Sequence, residues 1–287
     1  MKILVTGKNG QLGSEIRSIA ANFKQFNFLF TGSKELNISN KADVETFFAN
    51  NSINAVINCA AYTTVDKAED EPEKANAVNH LGVGYIAEMC KKYNCKLIHI
   101  STDYVFDGKA ISPYKEDDIV NPQSVYGKTK LAGEKAVSEL TNLAAVIIRT
   151  SWVYSEYGNN FVKTMQRLAN DRDVLNVVDD QIGAPTYAKE LASACLTILN
   201  ATNWPKQTEV YHYSNEGSCS WCEFAKTILE FTKSSCKVLP ITTKEYPTPA
   251  PRPAFSVLDK SKIKEHFNLE ISSWQECLRQ YTLNESH

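Results

Sequence analysis

The sequence predicts an α/β protein, a Rossmann-like doubly wound parallel sheet with a smaller C-terminal α/β lobe. Three observations carry this. Short β-rich runs, several apolar throughout, alternate with helical segments over the first 150 residues, the pattern of a parallel sheet covered on both faces. A glycine-spaced turn, Gly7 to Gly13, joins the first such run to the first helix. After Thr150 the alternation loosens into shorter strands among helices.

In chain order, Lys2–Thr6, Phe26–Thr31, Ala55–Ala60, Lys96–Ser101 and Ala144–Thr150 read as strands. Between them Gln11–Asn22, Lys41–Asn50, Pro72–Tyr93 and Val125–Leu140 carry helical spacing. The second half offers helices near Phe161–Asn170, Ala188–Leu199 and Ser220–Lys233, and strands at Val174–Val178, Glu209–Tyr213 and Val238–Ile241. A proline-rich loop, Tyr246–Pro253, precedes a last helix around Trp274–Tyr281. No repeat or flexible linker separates the halves, so tight packing between them is expected. The expected division is a dinucleotide-binding domain over residues 1–150 and a mainly substrate-binding lobe over 151–287, with segments returning to the first.

Composition excludes several classes. With 22% charged and 43% hydrophobic residues, the chain fits a globular protein rather than a disordered one. A formal net charge of −2 lacks the basic balance of nucleic-acid binders. No hydrophobic run approaches the roughly 20 residues needed to cross a bilayer, and the apolar start is too short for a signal-peptide core. A cytoplasmic enzyme with no membrane partner is expected. Of eight cysteines, Cys59, Cys90, Cys95, Cys195, Cys236 and Cys277 are scattered and read as small hydrophobes. Cys219 and Cys222 have C-x-x-C spacing, but no second pair completes a zinc site, so no metal is expected. Ser220 and Glu223 instead read as a capping box opening a helix.

Gly7, Gly10 and Gly13, with Asn9, Gln11 and Leu12 between them, close the first strand and open the first helix. Glycines there let the backbone approach a pyrophosphate held by the helix N-terminus. The second strand ends in Gly32-Ser33-Lys34-Glu35, without the terminal acid that binds a free ribose 2′-hydroxyl. Ser33 and Lys34 could hold a 2′-phosphate, which points to NADPH with NADH still usable, and they equally suit a solvated turn. Ala60, Ala61 and Tyr62 end the third strand with mostly small residues suited to a passing cofactor. Asn79 is either a surface amide or a link from its helix to the site.

Tyr126 and Lys130 lie four residues apart, so a helix presents both on one face. A nearby ammonium is expected to lower the phenol's pKa, making Tyr126 a proton donor at neutral pH. Thr102, at the end of the fourth strand, supplies a hydroxyl that can orient a carbonyl oxygen. With the glycine turn, these residues suggest a nicotinamide-dependent carbonyl reductase.

The residues carry a resemblance. The chain resembles the extended short-chain dehydrogenase/reductases and, within them, the dTDP-4-dehydrorhamnose reductase family, over nearly its whole length. The matching segments include Gly7–Gly13, Asn58–Tyr62, Val65–Glu69, Ser101–Phe106, Tyr126–Lys130, Arg149–Tyr154, Asn159–Phe161, Asp180–Thr186 and Tyr246–Pro253. Asn37 departs from the pattern, standing where relatives often carry Asp near the adenine. The resemblance implies NADPH-dependent reduction of the C4 ketone of a dTDP-4-dehydro sugar. It implies that Tyr126 is the proton donor, that Thr102 orients the oxygen, and that Lys130 also binds the nicotinamide ribose. Asp103 and Tyr104, beside Thr102, are then candidates for sugar hydroxyls. Trp152 would be a flat apolar wall, and Asn160 and Arg252 would serve the nucleotide end. A homodimer is left open. Two alternatives stay open: another nucleotide-sugar reductase or epimerase, and a non-catalytic cofactor-binding regulatory subunit. The latter would not need Thr102, Tyr126 and Lys130 together.

Overall fold

The computed structural model describes residues 1–285. Strands β1 (Lys2–Thr6), β2 (Asn27–Thr31), β3 (Ala55–Asn58), β4 (Lys96–Thr102) and β5 (Ala145–Thr150) form one parallel sheet. A sixth strand, Glu209–His212, adds to the outer edge of β5, giving the spatial order Glu209–His212, β5, β4, β3, β1, β2. The register is continuous: Thr6 faces both Thr31 and Asn58, and Thr102 faces Thr150. The strand ends that carry the predicted site residues therefore lie along one edge of the sheet.

Burial explains the apolar runs. Every residue of β3 and β5 is buried, as a strand covered on both faces requires. One core forms where helix α1 (Gln11–Ile19) and helix Ala188–Asn200 cover one face, through Ile16, Leu191, Cys195 and Leu199 against Val5, Ile57 and Ile148. On the other face Val44 and Phe48 of α2 (Lys41–Asn50) join Val83, Ile86 and Val137 over Leu4, Val56 and Ile147. Asn40 caps α2 by accepting from the Ala42 and Asp43 N–H groups, a contact contributing about 1 kcal/mol.

The predicted helix over 72–93 differs in detail. Its apolar spacing is continuous, yet a π turn at Ala77–Leu81 separates α4 (Pro72–Asn76) from α5 (Gly82–Lys92). A short helix α3 (Val65–Asp70) precedes it, and α6 (Val125–Ser138) follows β4. The remaining chain packs Tyr154, Val162, Phe224, Trp274 and Tyr281 into a third core. Small two-stranded sheets support it, among them Val174–Val178 with Lys237–Ile241 and Ile182–Gly183 with Cys219–Ser220. Ser220 caps the following helix Trp221–Phe231, accepting from Glu223 N at 2.9 Å. All eight cysteines are free thiols, and burial pushes Cys219 and Cys222 up in pKa. No helix among the described residues is long and apolar enough to cross a membrane.

Candidate active site

A cleft of about 720 Å³ runs along the carboxyl ends of the strands, where open α/β sheets place their ligands. The turn between β1 and α1 forms one end of it, with Gly7, Asn9, Gly10, Gln11, Leu12 and Gly13 in its wall. Gly7 has φ +68, and a Cβ on it would sit 2.8 Å from Ala60 N. A Cβ on Gly13 would sit 2.3 Å from Gly7 O. Both positions are closed to other residues, so the turn stays tight and flat. Gly10 caps α1 without a side-chain hydrogen bond, leaving first-turn N–H groups for an anion. The cradle fits a dinucleotide pyrophosphate.

Beyond the turn, Ser33 and Asn37 line the cleft, as do Ala60 and Ala61. Lys34 is exposed and does not. Instead Lys8 and Glu35 flank Gly32: Lys8 Nζ pairs with Glu35 Oε1 at 2.7 Å, and Gly32 N donates to Glu35 Oε2 at 2.9 Å. The acid missing from the strand end thus returns four residues later through a turn. The Lys8 contact, with the Gly32 N–H, holds the Glu35 carboxyl below its ordinary pKa.

Tyr62 and Asn79 are not part of the lining; they brace it. The Asn79 carboxamide, fully buried in the π turn, accepts from Tyr62 N at 2.8 Å. It donates to Tyr62 O at 3.1 Å and to Thr129 Oγ1 at 3.2 Å. Asn79 therefore ties the loop after β3 to α6, the helix carrying Tyr126 and Lys130. A π turn reorients such a side chain without ending its helix.

Thr102, Asp103, Tyr104, Tyr126 and Lys130 meet at the other end of the cleft. Ser124 caps α6 by accepting from Gly127 N at 3.1 Å. The first turn then presents Tyr126 edge-on to Tyr104, ring centroids 5.5 Å apart. Thr102 Oγ1 donates to Asp103 Oδ1 at 3.0 Å and accepts from Tyr104 N at 3.2 Å, and it also borders the Tyr126 hydroxyl. The Thr102 proton thus goes to Asp103, with the Tyr126 hydroxyl beside it. Below them, Ser101 Oγ donates to Glu134, which pairs with Arg149 at 2.8 Å in the interior.

The expected lowering of the Tyr126 pKa by Lys130 is corrected here. Burial dominates and pushes the phenol up to about 12, with the Thr102 hydrogen bond opposing and the Asp103 charge adding. Lys130 Nζ points instead at the Ile100 carbonyl oxygen, 2.6 Å away. Burial brings that ammonium down to about 8, although Glu134 one turn on opposes the shift. Four-residue spacing sets a shared face but not the electrostatic partner. Asp103, buried beside them, is pushed up to about 6 by desolvation, with the nearby Ser256 hydroxyl and the Thr102 hydrogen bond opposing the shift.

Trp152 lines the cleft just past β5, with φ +48, a left-handed conformation rarely adopted by a side chain of this size. Asn160 stands behind the lining. Its amide caps helix Phe161–Asp171 by accepting from Lys163 N, and it donates to Ser155 O at 2.7 Å and Gln11 Oε1 at 3.2 Å. Its neighbour Asn159 reaches the cleft instead. Arg252 lines an adjoining cavity of about 270 Å³ that shares Tyr104. Its guanidinium is held by Asp66 at 2.8 Å. Thr63, Val65, Thr150 and Ser151 also line the cleft without being singled out as site residues in the sequence. Val65, Thr150 and Ser151 fall inside the segments that carry the resemblance, whereas Thr63 lies between two of them.

Comparison with known proteins agrees with this fold. A family model described as the RmlD substrate binding domain matches residues 1–286. The dTDP-4-dehydrorhamnose reductase of Aggregatibacter actinomycetemcomitans is 42% identical, the match covering 97% of each chain. A crystal structure of a dTDP-4-dehydrorhamnose reductase from Clostridium acetobutylicum superposes with a TM-score of 0.94 at 42% identity, covering 100% of both chains. That of Bacillus anthracis, in complex with NADP, gives 0.93 at 38% identity and 99% coverage of both. The glycine turn, the Thr102–Tyr126–Lys130 group and this full-length similarity together place the chain in the dTDP-4-dehydrorhamnose reductase (RmlD) family, with its extended short-chain dehydrogenase/reductase fold.

Proposed function

We propose that the protein reduces the C4 ketone of dTDP-4-dehydro-β-L-rhamnose to dTDP-L-rhamnose, using NADPH in preference to NADH. The observation that carries this reading is the meeting of Thr102, Tyr126 and Lys130 at one end of a cleft whose other end is the glycine turn. A bound dihydronicotinamide supplies the hydride. The chain's own groups supply the rest. The Tyr126 phenol, protonated at neutral pH, gives its proton to the carbonyl oxygen as negative charge builds there. Thr102 turns its hydroxyl from Asp103 to the same oxygen and holds it in place. Lys130, cationic below about pH 8 and held by the Ile100 carbonyl, lines the same cleft and is the candidate to hold the nicotinamide ribose. Asp103, Tyr104 and Trp152 border the sugar. The full set of three reactive groups, in register around one cavity, favours an enzyme over a regulatory subunit. Incubating the pure protein with dTDP-4-dehydrorhamnose and NADPH should consume the NADPH absorbance with formation of dTDP-rhamnose. Clear NADPH binding without turnover would favour the regulatory reading.

A further inference from the structure

Trp152 does not stand alone. Its indole stacks on Trp221, ring centroids 3.5 Å apart and planes 9° from parallel. Phe161 closes on the far indole at 4.5 Å. Trp221 lies outside the cleft lining, so any influence it has on a ligand passes through Trp152. A second contact fixes the same ring. A Cβ placed on Gly183 would fall 2.5 Å from Trp152 Cε2 and 2.6 Å from Cζ2. Gly183 thus owes its lack of a side chain to the indole. The two supports are themselves joined, because Gly183 pairs with Cys219 in the small antiparallel sheet that leads directly into Trp221. The cost of the left-handed backbone at Trp152 is consistent with a ring held in one place by its surroundings.

We infer that Trp221 and Gly183 are positioning residues that set the plane of Trp152 and, through it, the wall against which the sugar ring lies. This rests on the reading that Trp152 borders the sugar. A flat wall of fixed tilt accepts the apolar C–H face of a deoxy sugar and limits the angle at which its ketone meets the reductant. The C-x-x-C segment, Cys219 to Cys222, acquires a purpose here that has nothing to do with metal or redox chemistry. It carries the second indole to the first.

Steady-state kinetics on the full chain with the dTDP-4-dehydro sugar and NADPH test this, alongside Trp152→Ala. An aromatic pair contributes roughly a three- to tenfold effect. Trp221→Ala should therefore raise KM for the sugar by about that factor, leaving KM for NADPH and the rise in melting temperature that NADPH produces near wild type. The melting temperature itself should fall as the packing is lost. Trp221→Phe should restore most of the loss. Gly183→Ala should raise the sugar KM further, because the indole must leave its place. A wild-type sugar KM in Trp221→Ala, with a raised one in Trp152→Ala, overturns the inference alone. An unchanged KM in Trp152→Ala overturns the sugar-wall reading, and the inference with it. Equal losses for sugar and NADPH in Trp221→Ala would mark the stack as a general structural support and also overturn it.

Discussion

The Lys130 ammonium donates to the Ile100 carbonyl oxygen at 2.6 Å, so the cation of the reactive group is anchored to β4 rather than to Tyr126. Its depressed pKa, about 8, then predicts a limb in the pH profile. The ratio kcat/KM follows groups of the free enzyme and should fall above about pH 8, by up to tenfold per pH unit. Lys130→Met should lose that limb together with most turnover. Tyr126→Phe should retain NADPH binding and lose about 10²–10⁴-fold in kcat. A kcat/KM that stays level to pH 9.5 would remove Lys130 from the titrating step, and near-wild-type kcat in the Phe variant would remove Tyr126.

Asp103 makes stability depend on pH with a definite sign. Its pKa is raised from 3.8 to about 6 in the folded state, so folding favours the protonated carboxyl. That contribution is complete below about pH 4 and is lost as the pH rises through 6. The difference corresponds to at most about 3 kcal/mol. Asp103→Asn, which carries no charge to bury, should gain up to that amount over wild type at pH 8 and about half of it near pH 5. Urea unfolding at several pH values gives the comparison. The same gain at every pH would count against a buried ionised carboxylate.

Arg252 reaches Asp66 from 186 residues away, and both side chains are partly exposed. Such a pair contributes about 1 kcal/mol or less, so Arg252→Ala should barely change the melting temperature of the free protein. If the guanidinium exchanges Asp66 for a diphosphate, the rise in melting temperature produced by dTDP should shrink in this variant. The rise produced by NADPH should not. Undiminished stabilisation by dTDP would assign Arg252 to loop closure alone.

Lys8 and Glu35 pack around Gly32 of the cleft wall, so cofactor choice is expected to depend on them more than on Lys34. The Glu35 carboxylate beside Gly32 would repel a 2′-phosphate, and it neutralises the nearby Lys8. Glu35→Gln should therefore shift kcat/KM toward NADPH over NADH by up to about fivefold, within the range of an exposed ion pair. Lys8→Ala should shift it the other way, and Lys34→Ala should do less than either. If Lys34→Ala proves the largest of the three, the exposed lysine reads the phosphate after all.

Much of this was legible in the sequence because it is local. The spacing from Tyr126 to Lys130, the glycine turn and the apolar strands each declare themselves within a few residues. The π turn did not, since 72–93 keeps an unbroken helical spacing while Asn79 twists inward to meet Thr129. Trp221 and Gly183 escaped notice because only tertiary contact brings them to Trp152. The Tyr126 pKa was misjudged for a related reason. Spacing reports which side chains share a face, whereas desolvation depends on everything packed over them.

The strand Glu209–His212 joins the sheet only after the chain has left it for some sixty residues and returned. During synthesis, β5 emerges with its outer edge bare, and the partner for that edge is still unmade. The nascent sheet thus waits for the smaller sheets' first segments before it can close. A chain cut after residue 200 would keep every residue of Thr102, Tyr126 and Lys130 and still display an unpaired edge to its neighbours. Self-association, rather than an independent reductase half, is the expected fate of that fragment.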